Sequence, residues 1–294
     1  MRRIIVNADD LGLTRGVNRA IFETISQGIV TSTTLMANSS AFQDAVEQAG
    51  SLARGKRPSV GCHVLLVDGE PIAPAASVKT LLEDGSGTFR TSLMPFVSSA
   101  ARGKISGAEI EAEATAQFRK LQAAGVSISH FDTHKHTHIF PAVFQPLLRA
   151  AQACGIKAVR NPFAPVKPLA FAHLVRRPKL WRRYSQVKIL RRYEDAFRRA
   201  VADAGMKTPD GSFGIVSTGH LDERLFTAIM GCLPEGTWEF VCHPGYNDAD
   251  LQKANTRLRA SREMELRVLT LPGARGILEE RGIQLISYSD LAAS

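Results

Sequence analysis

The sequence is poor in cysteine, and its cysteines form no recognisable metal-binding or disulfide pattern. Four cysteines occur among 294 residues, and no two of them stand in a Cys-x-x-Cys pair. Their wide spacing argues against both a zinc ribbon and a disulfide scaffold, so we expect reduced thiols. The four residues are Cys62, Cys154, Cys232 and Cys242.

Long apolar stretches are also missing. No apolar run approaches the roughly 18 residues that a membrane-spanning helix needs. The segment that begins at Met1 lacks a signal-type apolar core and soon reaches the acidic pair Asp9-Asp10. The sequence contains no internal repeat and no low-complexity tract. These absences predict a soluble protein of the cytoplasm.

Basic residues outnumber acidic ones, and much of the excess lies in one segment. The net charge is +9 at pH 7, which suggests an anionic partner. Residues 176–199 contain ten Lys or Arg residues but only two acidic ones, Glu194 and Asp195. A solvated helix face is one interpretation of this segment. Contact with a membrane surface or an anionic substrate is the other, because Trp181 and aliphatic residues interleave with the charges. We expect no nucleic-acid partner.

Short apolar segments alternate with amphipathic helices along the chain. Residues 3–8 are typical of a buried strand, and a helix is predicted from Thr14 or Arg15 to Gly28. Repetition of this unit predicts an α/β fold, namely an irregular (β/α) barrel of seven or eight parallel strands in one domain over residues 1–294. A doubly wound sheet is the alternative, but no glycine-rich phosphate loop follows the first strand.

Two segments interrupt this alternation. Residues 67–92 are rich in Gly, Pro, Ala and Ser and are too long for a simple connection, so they predict a functional loop or lid. Residues 164–192 form a predicted basic helical insertion.

Histidines are concentrated between Ile128 and His138. From residue 132 to residue 138, every second position is an aspartate or a histidine. If the segment is an extended strand, these side chains share one face. Carboxylate and imidazole together suit zinc or another first-row divalent ion, and with several waters they suit magnesium. A surface histidine run is the alternative. The residues are Asp132, His134, His136 and His138.

Other polar residues fall at the predicted ends of separate strands. In a (β/α) barrel these ends meet at one rim, where the chemistry takes place. Side chains of adjacent residues on a strand point apart, so the two carboxylates of Asp9-Asp10 can serve different roles. The other residues predicted at this rim are His63, Arg160 and His243. Structural alternatives exist for most of these residues: the Asp pair could cap a helix, His63 could be a hydrogen-bonded core residue, and His243 could be part of a turn.

Several motifs together resemble one known family. They are Asn7-Ala-Asp-Asp-Leu-Gly12, Gly28-Ile-Val-Thr-Ser-Thr-Thr34, Val60-Gly-Cys-His63, Asp132-Thr-His-Lys-His-Thr-His138 with Pro141, Thr208-Pro-Asp210 with Phe213, and Cys242-His-Pro-Gly245. This set is similar to the YdjC-like (ChbG/HpnK) carbohydrate deacetylases over essentially the whole chain. The resemblance implies a barrel related to the polysaccharide deacetylases and hydrolysis of an N-acetyl group from an amino sugar.

The resemblance also implies roles for individual residues. It implies one divalent metal ion, magnesium or zinc, held by Asp10, His63 and His134, with Asp9 as the general base. Our hypothesis adds His243 as the proton donor to the departing amine. His136 is an alternative ligand to His134, because spacing alone does not decide between them. The residues predicted to orient the ligands or to contact substrate are Asp132, His136, His138 and Arg160.

The nature of the sugar and two other classes of function stay open. Residues 164–192 look more like the branch of the family that acts on glycosylated hopanoid lipids than like the enzymes of short chitin fragments. The N-acetylated amino-sugar substrate is therefore either chito-oligosaccharide-like or lipid-linked N-acetylglucosamine. A metal-dependent phosphoesterase or amidohydrolase is the second enzyme class, and a non-catalytic lipid- or sugar-binding protein at a membrane surface is the third reading. The sequence leaves room for a homo-oligomer without specifying one.

Overall fold

Seven parallel strands form a single sheet. The computed structural model describes residues 1–52, 58–165, 184–185 and 188–293. Within these residues the strands follow the order β4-β3-β2-β1-β6-β5, and β7 pairs with β1. The strands are β1 (Arg2–Leu11), β2 (Ser32–Leu35), β3 (Ser59–Val64), β4 (Ile128–Thr133), β5 (Gly211–Phe213), β6 (Gly236–Cys242) and β7 (Ile283–Ile286).

Hydrogen bonds of the chain after Ile156 close this sheet into a barrel. The amide of Phe131 on β4 donates to the carbonyl of Ala158, and the amide of Val159 donates to the carbonyl of Lys207. Farther along, the amide of Ser212 on β5 donates to the carbonyl of Phe163. The segment 156–160, whose sequence is typical of a strand, therefore forms isolated bridges through Val159 to Phe131 of β4 and through Ala158 to Lys207, just before β5. The predicted (β/α) barrel of parallel strands is confirmed.

The barrel is irregular because two strands share one edge of β1. Residues Arg2 to Ile5 of β1 pair with β7, whereas Asn7 to Leu11 pair with β2. The opposite edge pairs with β6 from Arg2 to Ala8. The long central strand therefore runs the full height of the barrel, and its C-terminal end carries Asp9 and Asp10 to the upper rim.

Helices cover the outside of the sheet. The first begins as predicted, because the Thr14 side chain caps it by accepting the amide of Val17. Within the described residues no helix is both long and apolar enough to cross a membrane. The helices are α1 (Arg15–Gln27), α2 (Phe42–Ser51), α3 (Leu93–Ala101), α4 (Gly107–Ala123), α5 (Pro141–Ala153), α6 (Glu194–Asp203), α7 (Glu223–Gly231), α8 (Ala249–Lys253), α9 (Ala260–Thr270), α10 (Pro272–Glu280) and α11 (Tyr288–Ala293).

One charged segment contains two helices rather than one. The sequence pattern of residues 251–268 predicts a continuous helix, but α8 ends at Lys253 and α9 begins at Ala260. The Arg259 guanidinium donates to the carbonyls of Leu251 and Gln252 at the end of α8, and this contact stabilises the break.

The predicted loop 67–92 contains two short 3-10 turns, Ala75–Ser77 and Lys79–Leu81. Helix α4 anchors it, because the buried Glu113 carboxylate accepts the amides of Ile72 and Ala73.

The remaining predictions about organisation stay predictions. Most of the basic insertion at 164–192 lies outside the described residues, and so do 176–183 and 186–187 of the proposed membrane-contact segment 176–199. The single domain over 1–294 and the cytoplasmic location also stay predictions.

The lower half of the barrel interior is filled by two stacked rings. His130 of β4 and Tyr288 of α11 are fully buried, with ring centroids 3.6 Å apart and planes 9° from parallel. The neighbouring residue on β3 is Gly61, where an added Cβ would lie 2.5 Å from a carbon of the His130 ring. Glycine at this position therefore makes room for the ring.

We predict that Gly61→Ala destabilises the protein by about 1–3 kcal/mol, because the new methyl overlaps a ring that has no free space. Urea unfolding monitored by circular dichroism measures this change. Gly276→Ala is the matched control, since a Cβ there meets nothing within 4 Å inside α10. The control should gain about 0.5–1 kcal/mol. Equal stability of Gly61→Ala and the unchanged protein would contradict the packing argument.

Candidate metal and catalytic site

The upper rim of the barrel brings most of the predicted site residues around one cavity of about 460 Å³. Strand β1 contributes the two adjacent aspartates, β3 contributes a histidine near its end, and the segment after β4 contributes two more. The last histidine follows β6. Those that line the cavity are Asp9, Asp10, His63, His134, His136 and His243.

The histidine segment does not continue as a strand, so the prediction of one shared face for all its side chains is wrong. Strand β4 ends at Thr133, and His134–Ile139 forms a 3-10 turn. Lys135 and His136 have left-handed backbone conformations, with φ of 56° and 54°. The Thr133 hydroxyl stabilises the turn, because it accepts the amide of His138 at 3.1 Å. The turn thereby separates the histidines into different environments.

Three ligand atoms, from β1, from β3 and from the turn after β4, form a compact triangle. Asp10 Oδ1 lies 3.4 Å from His63 Nε2 and 3.6 Å from His134 Nδ1, and the two histidine nitrogens are 3.3 Å apart. Ligands about 2.1 Å from one ion at tetrahedral angles lie about 3.4 Å from each other. The three residues therefore fit a single divalent ion.

A second cluster of potential ligands overlaps the first but has its atoms engaged. Among the described residues, Asp9, His63 and Asp132 also approach within metal-binding range of one another. Both oxygens of Asp9 are bonded by Arg160, and the His63 Nδ1 is bonded by Asp132. This cluster is therefore less suited to a metal than the triangle.

The ligands of the triangle are held by other buried side chains. Asp132 Oδ1 lies 2.7 Å from His63 Nδ1, and a proton on this nitrogen leaves the Nε2 lone pair facing the triangle. On the other side, Arg262 of α9 donates to Asp10 Oδ2 at 2.6 Å, which leaves Asp10 Oδ1 free. Arg262 could not be singled out from the sequence, since it looks like any arginine of a charged helix.

The same surroundings set the protonation of the triangle. Burial acts to lower the pKa of His63, but the Asp132 carboxylate outweighs it and raises this pKa to about 9. Burial acts to raise the pKa of Asp10, but Arg262 together with the neighbouring histidines lowers it well below its usual range. The pKa of His134 is lowered by burial. At neutral pH Asp10 is therefore ionised, His134 is neutral, and the metal-free His63 holds a proton.

Asp9 lies beside the triangle and makes different contacts from its neighbour. Arg160 Nη1 donates to its Oδ2 at 2.8 Å, Arg160 Nη2 donates to its Oδ1 at 2.6 Å, and the Asn7 amide donates to Oδ1 at 2.9 Å. Burial acts to raise the pKa of Asp9, but Arg160 outweighs it and lowers this pKa. His243 Nε2 lies 3.8 Å from Asp9 Oδ2. The cavity therefore contains an ionised carboxylate beside an imidazole.

Arg160 is fully buried and contacts three carboxylates. In addition to Asp9 it pairs with Asp132, and its Nε and Nη2 donate to Glu239 Oε1 at 2.9 and 2.7 Å. Burial raises the pKa of Glu239 despite the guanidinium, and the Tyr288 hydroxyl donates to its second oxygen at 2.6 Å. Sequence reasoning missed Glu239, although a charged residue inside the apolar strand β6 was a usable signal.

The buried charged groups of this region have an excess of negative charge, which a metal cation would offset. Four carboxylates face only two guanidiniums, so acidic groups are in excess when the histidines are neutral. Burial of unpaired charge is costly, and a divalent cation in the triangle would offset the excess. The groups are Asp9, Asp10, Asp132 and Glu239 on one side and Arg160 and Arg262 on the other.

The two later histidines of the turn have separate environments. His136 lines the cavity, burial lowers its pKa to about 3, and its Nδ1 has no hydrogen-bond partner among the described residues. His138 is fully buried, and its Nδ1 lies 2.6 Å from the Thr133 hydroxyl. His136 is therefore available to substrate, whereas His138 supports the turn.

The chain is similar to known proteins over nearly its whole length. It is 31% identical over 291 residues to a carbohydrate deacetylase of Geobacillus stearothermophilus, covering 98% of each chain. It is 30% identical over 317 residues to a human carbohydrate deacetylase, covering 98% of this chain and 91% of the relative.

A solved structure has the same fold. The crystal structure of an Enterococcus faecalis protein described as a putative cellobiose-phosphate cleavage protein superposes with a TM-score of 0.79 at 23% identity, covering 99% of this chain and 98% of that one. The sequence profile of the family described as YdjC-like protein matches residues 3–280. The resemblance seen in the motifs is therefore confirmed, and the chain belongs to the YdjC-like family.

Proposed function

We propose that this chain is a metal-dependent carbohydrate N-deacetylase that hydrolyses the acetamide of an amino sugar and releases acetate. The observation that carries the proposal is the ligand triangle of Asp10, His63 and His134 with the ionised Asp9 in the same cavity. Relatives that match the chain end to end are named carbohydrate deacetylases, and this supports the choice of substrate.

Asp10, His63 and His134 would hold the ion, and its identity is part of the proposal. When bound, a divalent cation supplies Lewis-acid polarisation of a carbonyl and lowers the pKa of water. Two imidazoles with one carboxylate, separated by 3.3–3.6 Å, suit zinc or a similar first-row ion. Magnesium prefers oxygen ligands at right angles, which would lie about 3.0 Å apart. We therefore favour zinc over magnesium.

The roles of the remaining residues follow from their contacts. Asp9 is held ionised and in a fixed orientation by Arg160, so it can accept a proton from the water that attacks the acetyl carbonyl carbon. The C–N bond then breaks, and His243 donates a proton to the departing nitrogen. His243 faces Asp9 across 3.8 Å, so base and acid lie on the same side of the cavity. The products are acetate and the free amine.

Part of the cavity wall is apolar, which bears on the group that carries the amino sugar. Leu93, Leu190, Ile215 and Leu258 line the cavity together with the polar Lys135, Thr218 and Arg257. The sequence neighbours of Leu93 and Leu190, which are Met94 and Ile189, are exposed to solvent to 71% and 63%. Exposed apolar side chains around a pocket favour an amphipathic ligand. We therefore propose a lipid-linked N-acetylamino sugar as the preferred substrate, over a soluble chito-oligosaccharide.

The other readings of the sequence receive no specific support from the described residues. A phosphoesterase or another amidohydrolase could use the same ligands, but the relatives named above point to sugar deacetylation. The membrane-binding reading depends on residues 176–199, of which 176–183 and 186–187 lie outside the described part of the chain.

Acetate release tests the proposed activity. We predict that the metal-loaded protein releases acetate from an N-acetylated amino sugar. Asp9→Asn should lower kcat by about 10²–10⁴-fold while the metal stays bound, because only the base is lost. His63→Ala should lose both metal and activity. Acetate is measured by an enzyme-coupled assay and metal by elemental analysis.

The same assay separates substrates. A lipid-linked N-acetylglucosamine in detergent micelles should give a higher kcat/KM than N-acetylated chito-oligosaccharides. Turnover that survives in both Asp9→Asn and His63→Ala would refute the assignment, whereas a preference for the soluble sugar would refute only the lipid-linked substrate.

Arg262 should control metal affinity without contacting the metal. Removing its guanidinium with Arg262→Met frees Asp10 Oδ2 and lets the carboxylate rotate, so we predict a 10–100-fold weaker zinc affinity. A competition titration with a chromophoric chelator measures this. Arg259→Met is the matched control, because the hydrogen bonds of Arg259 to described residues all go to groups near the end of α8. Equal affinities in the two variants would contradict a role for Arg262.

Metal binding should release a proton at neutral pH. The pKa of His63 is raised to about 9 in the metal-free protein, so its proton must leave before Nε2 can bind the ion. Apparent affinity should therefore increase about tenfold per pH unit up to about pH 9 and level off above it. Calorimetric titration at pH 7 in buffers of different ionisation enthalpy counts the proton. A heat independent of the buffer would contradict this.

A further inference from the structure

A chain of hydrogen bonds runs through the lower barrel and begins on α11. The Ser289 hydroxyl lies 3.0 Å from that of Ser59 on β3, which lies 2.7 Å from that of Ser129 on β4. The Ser129 hydroxyl in turn lies 2.8 Å from His130 Nδ1. Three serines on three different elements therefore lead to one nitrogen of a buried imidazole.

The chain continues from the other nitrogen of this imidazole to the site. His130 Nε2 lies 3.2 Å from Asn7 Oδ1, and Asn7 Nδ2 lies 2.9 Å from Asp9 Oδ1. Alternate residues of β1 face the barrel interior, which places Asn7 directly below Asp9. The path thus ends on the carboxylate that faces the cavity.

The donors and acceptors between Asp9 and His130 allow one direction only. Asp9 is ionised and can only accept, so Asn7 must present its amide nitrogen to Asp9 and its oxygen to His130. His130 must then donate from Nε2, which leaves Nδ1 as an acceptor that faces the Ser129 hydroxyl. The single proton of this hydroxyl is shared between His130 Nδ1 and the carbonyl of Val60, which lies 3.0 Å away. If His130 carried its proton on Nδ1 instead, Nε2 would be an acceptor, and the Asn7 amide would have to turn its nitrogen toward it. The Asn7 oxygen would then face the Asp9 carboxylate.

A second path leads from the neighbouring residue of α11 to the same carboxylate. The Tyr288 hydroxyl donates to Glu239 at 2.6 Å, Glu239 accepts from Arg160, and Arg160 bonds both oxygens of Asp9. The Tyr288 ring also stacks on His130. Adjacent residues at the start of α11 thus begin two paths that meet at Asp9.

We propose that His130 and Tyr288 are positioning residues for Asp9, acting through Asn7 and through Glu239 with Arg160. The proposal rests on the proposed function, because it takes Asp9 to be the general base. Neither residue lines the cavity, so neither touches substrate. Their effect is to fix the angle at which the Asp9 oxygens face the attacking water.

The surroundings of His130 keep it in one state. The ring is fully buried between Tyr288 and the space left by Gly61. Burial lowers its pKa well below the usual range, so the ring stays neutral. A neutral, stacked ring with a partner on each nitrogen has one tautomer compatible with its neighbours.

Paired substitutions test the proposal through kcat and KM. Tyr288→Phe keeps the stacked ring and removes only the hydroxyl, and His130→Leu removes both ring nitrogens. Each should lower kcat about tenfold, leave KM within about twofold and leave zinc affinity unchanged. His130→Gln can still donate to Asn7, so it should recover kcat to within about threefold of the unchanged protein. Leu291→Ala removes a buried side chain of the same helix outside both paths, and kcat should not change.

A spectroscopic measurement tests the first path independently of turnover. In the zinc-loaded protein labelled with ¹⁵N-histidine, His130 should carry its proton on Nε2, with no titration between pH 6 and 8. The Nδ1–H tautomer would overturn the proposal, and so would unchanged kcat in both Tyr288→Phe and His130→Leu. If Tyr288→Phe does not fold, the two His130 variants decide. Absence of acetate release from the unchanged protein would instead refute the proposed function, and the tautomer would still decide whether the path exists.

Discussion

The contact of one buried guanidinium with three carboxylates is the constraint on which the rest of the site depends. Arg160 has no exposed surface and meets Asp9, Asp132 and Glu239 inside the barrel. Removing such a charge from water is costly, and the arrangement is stable only when every partner is present. Because Asp132 also orients His63, the position of Arg160 affects both the candidate base and the candidate metal ligands. The candidate base and the candidate metal site are therefore coupled through the Arg160 side chain.

The strand ends were predictable, because parallel strands of a barrel bring their C-terminal residues to one rim. Asp9, Asp10, His63 and His243 could be placed there from apolar runs that stop at polar residues. Local geometry could not be predicted so well. The period-two pattern of 132–138 indicated a strand, but the Thr133 hydroxyl and two left-handed residues form a turn instead. Alternation in sequence alone does not distinguish these two outcomes.

The residues that hold the ligands were harder to find than the ligands themselves. Arg262 and Tyr288 lie more than 200 positions from the residues they contact on β1 and β2, and each resembles an ordinary helical residue. Their roles come from long-range packing, which single-sequence patterns do not contain. Glu239 is different, because a glutamate within an apolar strand of a barrel must face either solvent or a buried partner. Interior charge on a barrel strand is thus a signal that sequence reasoning can use.

Closure of the barrel has a consequence for the order in which the site is assembled. The three ligands of the triangle come from β1, β3 and the segment after β4, which are neighbours through β2 in the first half of the chain. Arg160 lies on the later segment that joins β4 to β5 through isolated bridges. A nascent chain released only as far as α5 would contain the three ligands but would lack both Arg160, which orients Asp9, and Arg262, which holds Asp10. The candidate base and the candidate metal ligands therefore both depend on residues that leave the ribosome later, so the site is complete only after the second half of the chain has packed onto the first.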